Sequence, residues 1–243
     1  MEHLHELDVQ VSRFLELKGY TVAREIDPQH GHHVYRMKVI APPSMRIGVI
    51  AGDVIHNLRS SLDHLAWQLA LLKKRRPSGK TAFPIHTNPD PATQRLNESG
   101  RSAINDLPDE AKEIIEAIQP YRGGERGYYL AALNQLSRTD KHQIILRPFA
   151  IYRTTTIVGD KLSCFDTGGN WFMRTDRVCN DGDVLYCIHA AALKEIGEDY
   201  EIEIEFDLAV SGDYAGFTAV RLLSYIHKTV GEGVLPLFEK FFD

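Results

Sequence analysis

The stretch that decides the fold is residues 53–72, which read DVIHNLRSSLDHLAWQLALL. Its apolar residues recur at intervals of three and four positions: Ile55, Leu58, Leu62, Leu65, Leu69 and Leu72. This spacing lines them along one side of an α-helix and predicts a long helix with one buried face. Asp53 is a residue type that caps helix starts. The cations at 73–76 suit the end of the helix dipole, and Pro-Ser-Gly at 77–79 ends the helix.

The segments on either side predict further helices and a β-hairpin. Residues 4–17 carry apolar side chains at helical spacing, and Gly19 ends that pattern. Residues 20–26 and 34–40 are rich in β-branched and aromatic residues and flank a turn-forming sequence, which is typical of a hairpin. Beyond the long helix, Pro108 opens a predicted helix that runs to residue 119, and a fourth helix is predicted over residues 128–138.

After residue 141 the apolar pattern changes from a helical period to a period of two. Residues 201–208 alternate acidic and apolar side chains, and residues 144–158, 171–174 and 184–190 are further strand candidates. Residues 217–230 return to helical spacing, and 236–242 form a short apolar end. We therefore predict an α+β protein, with a helical bundle-like part containing an inserted hairpin (1–143) followed by an antiparallel sheet with a C-terminal helix (144–243). The two parts form either separate domains or one continuous domain.

The composition is that of a globular protein: 43% of the 243 residues are hydrophobic and 25% are charged. The sequence has neither a membrane-length apolar run nor an apolar signal core near its start, so we expect a cytoplasmic protein without a membrane partner. Three cysteines favour free thiols over a disulfide framework. The net charge of −5 combines +2 in residues 1–143 with −7 in residues 144–243. A polyanionic partner would therefore contact the first part.

The flank opposite the leucine stripe carries residues that are unusual for a solvent-facing helix. With a helical turn of about 100° per residue, six residues with functional groups lie on that side: His56, Arg59, Ser60, Asp63, His64 and Trp67. Their types predict that this flank is covered or lines a cleft. A purely structural interpretation is equally open. It makes Arg59 and Asp63 an i,i+4 ion pair, the two histidines core residues, and Trp67 an extension of the core.

The sequence Arg59-Ser60-Ser61-Leu62-Asp63-His64 resembles the Arg-x4-His motif of the HEPN superfamily of helical-bundle ribonucleases. The resemblance implies metal-independent RNA cleavage through the ribose 2′-hydroxyl, in a groove formed by two copies of the motif in a homodimer. Arg59 would hold the scissile phosphate, His64 would act as general acid or base, and Asp63 would complete the catalytic set. His56, Ser60 and Trp67 would then bind substrate. Ser60, the inserted hairpin and the β-rich half depart from the family pattern.

Two alternatives to a ribonuclease are open. In the first, His56, Asp63, Asp140 and His142 bind a metal, because histidine and carboxylate ligands from different helices suit zinc, manganese or iron. In the second, the polar flank is the interaction surface of a non-catalytic binding protein. The sequence contains no phosphate-binding loop, dinucleotide-binding turn or nucleophile elbow, so we expect no cofactor. Residues 52–64 and 137–142 together also resemble a recurring type of bacterial protein, which implies no particular activity.

Overall fold

A computed structural model describes residues 2–140, 146–157, 171–173, 180–188, 190, 200–210, 214 and 217–243. The chain divides into two compact units, each assembled from separate segments. Unit 1 comprises residues 1–4, 49–144 and 221–243, and unit 2 comprises residues 5–48 and 145–220. The hairpin thus belongs to the same unit as the sheet, whereas the C-terminal helical segment belongs to the unit with most of the helices. The predicted boundary after residue 143 stays a prediction.

Unit 1 is helical and is organised on the long predicted helix. The chain begins with α1 (Glu2–Glu16), most of which belongs to unit 2. Unit 1 contains most of α2 (Met45–Lys73), followed by α3 (Glu98–Ala103), α4 (Asp109–Ala117), a 3₁₀ turn (Pro120–Arg122) and α5 (Gly124–Asp140). The leucine stripe of α2 supplies Leu62 and Leu69 to the core, both fully buried. Phe83 and Phe238 are also buried there and meet edge to face at a centroid distance of 6.4 Å.

The start of α2 differs from the prediction that Asp53 caps it. Asp53 lies inside the helix, which begins two turns earlier at Met45. Ser44 precedes that start, and its hydroxyl accepts a hydrogen bond from the Arg46 N–H at 3.2 Å, which satisfies one of the unpaired amides of the first turn. The apolar residues Ile47 and Ile50 are buried and extend the same helical spacing upstream.

Unit 2 contains two antiparallel sheets. The hairpin of β1 (Tyr20–Ile26) and β2 (His33–Val39) continues into β5 (Val184–Ile188) and β4 (Trp171–Met173), giving the order β1-β2-β5-β4. In the hairpin Tyr20 faces Val39 and Ile26 faces His33. The second sheet pairs β3 (Leu146–Ile157) with β6 (Tyr200–Val210). The predicted hairpin is confirmed, and it forms an integral part of the larger sheet.

The end of the chain returns to helix. α6 (Ala219–Lys228) runs into a π-helical turn (Thr229–Val234) and a 3₁₀ segment (Leu235–Phe241). Helices, antiparallel strands and this C-terminal helix together confirm the α+β prediction. In the described parts of the chain, no helix combines the length and apolar character that crossing a membrane requires.

Candidate functional site on helix α2

Arg59 and Asp63, one turn apart on α2, hold the backbone of Phe83 between them. The Arg59 Nη2 donates to the Asp63 carboxylate at 2.8 Å and to the Phe83 carbonyl at 2.6 Å. The Phe83 N–H donates to the same Asp63 oxygen at 2.9 Å. The pair therefore satisfies both backbone polar groups of a residue whose side chain is fully buried. The predicted i,i+4 ion pair is confirmed, and it also binds a third residue.

Phe83 belongs to residues 81–86, a segment without regular secondary structure that we call the strap. Side chains in or next to two other helices also form hydrogen bonds to the strap backbone. The buried Gln119, just after α4, donates from its amide nitrogen to the Pro84 carbonyl at 2.9 Å and accepts from the His86 N–H at 3.0 Å. Asn134 of α5 donates to the Ile85 carbonyl at 3.3 Å. Side chains thus replace the strand partners that an extended backbone normally requires.

The Arg59 guanidinium lies largely inside this arrangement. Its side chain is 20% exposed, and its Nη1 is buried without a hydrogen-bond partner among the described residues. Burial lowers the pKa of Arg59 below its ordinary value, and the charge of Asp63 opposes that effect only in part. An arginine with free donors at this position is chemically suited to a phosphate, but most of this one is covered.

Other predicted site residues surround an open groove of about 480 Å³ on the same helix. Its lining is formed by Ser60, Asp63, His64, Trp67, Gln68 and Thr81. His64 is exposed, and Trp67 keeps 39% of its surface exposed. Arg59 is not among the lining residues. The prediction that this flank is covered or lines a cleft is confirmed for five of its six residues, because the strap covers Arg59 while Ser60, Asp63, His64 and Trp67 line the groove.

His56 lies one turn before the groove and does not line it. Its Nε2 is 3.4 Å from the Ser60 hydroxyl, the contact that links it to the groove. His56 and His64 are both exposed. The interpretation of these two histidines as core residues is therefore wrong, since their side chains lie outside the leucine stripe that the core uses. Trp67, which that interpretation also placed in the core, is likewise partly open to solvent.

The metal interpretation gains no cluster from the described part of the chain. Within it, no group of three or more histidine, cysteine, aspartate or glutamate residues is placed to hold a metal ion. Asp140 is the last residue of α5, but its side chain lies outside the described set, as does His142. A site made of His56, Asp63, Asp140 and His142 stays a prediction.

The four cations at the end of α2, residues 73–76, form two pairs with different roles. Lys73 and Lys74 form ion pairs with Asp109 at 3.4 Å and with Asp106 at 2.5 Å, respectively, and so connect the helix end to the region of α4. Arg75 and Arg76, just beyond the helix, are exposed and pair with no acid in the described ranges. Two of the four cations are thus structural, and two are available to an anionic partner.

Sequence reasoning missed Gln119 and Asn134, which position the strap. Both contact it from more than 30 positions away in sequence, so no local pattern signals their role. The one available signal for Gln119 is its place at the end of an amphipathic helix, where a buried amide needs polar partners.

Comparison with protein-family models, with curated proteins and with solved structures found no match to this chain. The HEPN resemblance therefore rests on Arg59 and His64 alone. The functional interpretation therefore depends on the geometry around α2.

Proposed function

We propose that this protein binds RNA along α2 and cleaves it through the ribose 2′-hydroxyl, with His64 as the proton-transfer group. The observation that supports this is the groove in which the exposed His64 imidazole lies beside the partly exposed Trp67 indole. An imidazole titrates near neutral pH, and an indole offers a flat apolar face. This combination suits a nucleotide, whose base stacks and whose sugar hydroxyl loses a proton.

Trp67 supplies the base-binding part of the proposal. Stacking of a base on an aromatic side chain contributes about 1–3 kcal/mol and tolerates any base. Trp67 and His64 are three positions apart and so lie on the same side of the helix. A base stacked on the indole would therefore bring its own ribose near the imidazole.

Arg75 and Arg76 supply the contacts to the RNA backbone. They follow the end of α2, and the side of the helix that carries His64 and Trp67 continues toward them through Leu71, which is 41% exposed. Protein contacts to phosphates come chiefly from such unpaired cations. The overall charge of −5 makes a local basic end of this kind necessary for RNA binding.

In the cleavage step the His64 imidazole accepts the 2′-hydroxyl proton, and the 2′-oxygen attacks the adjacent phosphorus. The bond from phosphorus to the 5′-oxygen breaks, leaving a 2′,3′-cyclic phosphate and a 5′-hydroxyl that takes up a proton. One imidazole performs one of these two proton transfers, and the homodimer implied by the resemblance would supply the other from its second copy. Arg59 positions Asp63 in this scheme, because its Nη2 donates to Asp63 and to the Phe83 carbonyl while its Nη1 is buried.

The engagement of Arg59 also favours a second candidate, an RNA-binding protein without catalytic activity. The Arg59 Nη2 is engaged by Asp63 and the Phe83 carbonyl, and the unpartnered Nη1 is buried, so the guanidinium could hold a phosphate only after its surroundings had moved. The non-catalytic protein uses the same groove and the same basic end but performs no proton transfer.

The two candidates are separated by measuring RNA binding and RNA cleavage on the same samples. Wild-type protein is incubated with single-stranded RNAs of varied sequence, and binding is followed by fluorescence anisotropy while products are identified by mass spectrometry. The ribonuclease requires cyclic-phosphate products from wild type, their loss in His64→Ala with binding retained, and weaker binding in Trp67→Ala. His3→Ala and Leu72→Ala are the matched controls, since His3 and Leu72 are exposed and outside the groove. Binding without products would favour the non-catalytic protein, and an absence of binding would exclude both.

A further inference from the structure

A second concave site lies in unit 1, formed by the loop before α3, by α3 itself and by α4. Its volume is about 470 Å³, within the range of about 300–1,000 Å³ that is usual for small-molecule sites. It is lined by Thr93, Arg95, Leu96, Arg101, Ile104, Asn105, Lys112, Glu113 and Glu116. None of these residues lines the groove on α2.

Both carboxylates in this pocket are already occupied by protein donors. Glu113 accepts from the Arg95 Nη2 with both oxygens at 2.8 Å. Glu116 accepts from the Leu96 N–H at 3.0 Å and from Tyr121 and Arg122. The carboxylate oxygens that could otherwise bind a cation or accept from a ligand donor are therefore already engaged by the protein.

The donors in the pocket are not exhausted. Arg101 uses its Nη1 to donate to the Leu96 carbonyl at 2.7 Å, and its charge helps to lower the pKa of Asp90. It forms no ion pair within the described ranges, so the other donors of its guanidinium remain for a ligand. Lys112 donates to Asp109 at 2.8 Å, which uses one of its three ammonium hydrogens. The Asn105 side chain is exposed and makes no hydrogen bond to the described residues. These three groups favour an acceptor-rich, negatively charged ligand group.

The remaining wall is apolar. Leu96 and Ile104 line the pocket and are 1% and 5% exposed, so each presents only a narrow apolar edge beside the spare donors. We propose that this pocket binds a small organic anion, with its phosphate or carboxylate on Arg101 and Asn105 and its apolar body against Leu96 and Ile104. Inorganic phosphate would use only the first half of the site.

Two-dimensional NMR titration of the full chain tests this, using phenyl phosphate, benzoate, inorganic phosphate and benzyl alcohol as probes. Ligands of this size bind with about millimolar affinity, so each is titrated to about 20 mM. We expect shifts at residues 93–105 and 112 with at least one of the two aromatic anions. Each such anion binds about tenfold more tightly than inorganic phosphate because its ring is buried, and benzyl alcohol does not bind. If phenyl phosphate binds more tightly than benzoate, the site is assigned to phosphates. If benzoate binds more tightly, the site is assigned to carboxylates.

Two variants and a control show where the probes bind. Arg101→Ala removes the charge and weakens the aromatic anion about tenfold or more. Asn105→Asp adds a negative charge on an exposed side chain, weakens the same probe and decides the question if Arg101→Ala does not fold. Arg24→Ala removes an exposed arginine in unit 2 and leaves the affinity unchanged. The proposal is overturned if wild type binds no aromatic anion, if binding does not exceed that of inorganic phosphate, or if Asn105→Asp binds as wild type does.

Discussion

Arg59 lies 2.8 Å from Asp63 on the next turn of α2, and the two side chains hold opposite polar groups of one backbone residue, Phe83. Arg59 and Asp63, which the sequence places in a candidate active site, therefore also hold the fold together. Their scaffold function keeps the strap against α2, and Thr81 of that strap lines the groove that contains His64. We therefore expect stability and the proposed function to be coupled at this point of the molecule.

Removing either partner of the clamp is expected to destabilise the fold. Arg59→Ala leaves the Phe83 carbonyl without its donor, and Asp63→Ala leaves the Phe83 N–H without its acceptor. Each should lower the free energy of unfolding by about 1–3 kcal/mol in denaturant titrations. The double variant should lose less than the sum, because the two side chains bind each other and act on the same residue, Phe83. Lys240→Ala, which breaks an exposed ion pair with Glu110, should change it by less than about 0.5 kcal/mol. A clamp variant as mild as that control would contradict the account.

Gln119 is expected to contribute more to the free energy of unfolding than an exposed glutamine does. Gln119→Ala removes the partner of the buried Pro84 carbonyl and of the half-buried His86 N–H and leaves both groups unpaired. The expected loss is about 2 kcal/mol or more, measured by urea unfolding. Gln29→Ala, at an exposed turn position, should stay within about 0.5 kcal/mol of wild type. Equal effects in the two variants would mean that the strap is not held by Gln119.

Stability in acid should depend on Glu116. Burial by itself would raise the pKa of this carboxyl, but hydrogen bonds from Leu96, Tyr121 and Arg122 outweigh it and hold the pKa below its ordinary value. The stabilisation by the ionised Glu116 carboxylate is therefore fully present above its pKa in the unfolded chain, about 4.3. It is lost as the pH falls through the lower pKa of the folded protein. Glu116→Gln should be less stable than wild type at pH 7, with a difference that shrinks below about pH 4. A difference that is constant between pH 3 and pH 7 would show that ionisation of Glu116 is irrelevant.

Two tyrosines should respond in opposite ways to loss of the hydroxyl. The Tyr20 hydroxyl is buried with no hydrogen-bond partner among the described residues, and burial raises its pKa to about 12. Tyr20→Phe should leave stability unchanged or raise it, since an unpaired polar group is removed and the ring contacts with Phe14 and Phe206 remain. Tyr121→Phe removes a 2.7 Å hydrogen bond to Glu116 and should cost about 1–3 kcal/mol. Thermal unfolding compares them, and the reverse order would refute this assignment.

The sequence was sufficient for the fold class and for most of the buried side of α2, but Leu72, the last leucine of the predicted stripe, is 53% exposed. Leucines at intervals of three and four signal a helix by themselves, and the period-two segments signal strands. The start of α2 was misplaced because Asp53 is a good capping residue, whereas the true start uses Ser44, which follows two prolines. Local propensity does not decide between two possible caps on one continuous apolar pattern.

The site was only partly predictable, for a physical reason. The spacing of Arg59 and Asp63 predicts that they meet, because residues four apart on a helix are neighbours. It does not predict Phe83 as the third partner, since that contact depends on how a segment 20 or more residues away is packed. Whether a polar helix face is covered or open is likewise decided by the strap. His64 and Trp67 are at the groove only because the strap covers the neighbouring Arg59 and not them.

The most direct test of the central claim is a cross-linking experiment that asks where RNA lies on the protein. Wild-type protein is irradiated with single-stranded RNA that contains 4-thiouridine, and cross-linked peptides are identified by mass spectrometry. The account predicts cross-links within residues 60–81, centred on Trp67, and their loss in Trp67→Ala but not in Leu72→Ala. Cross-links confined to unit 2, or an absence of cross-links, would contradict it.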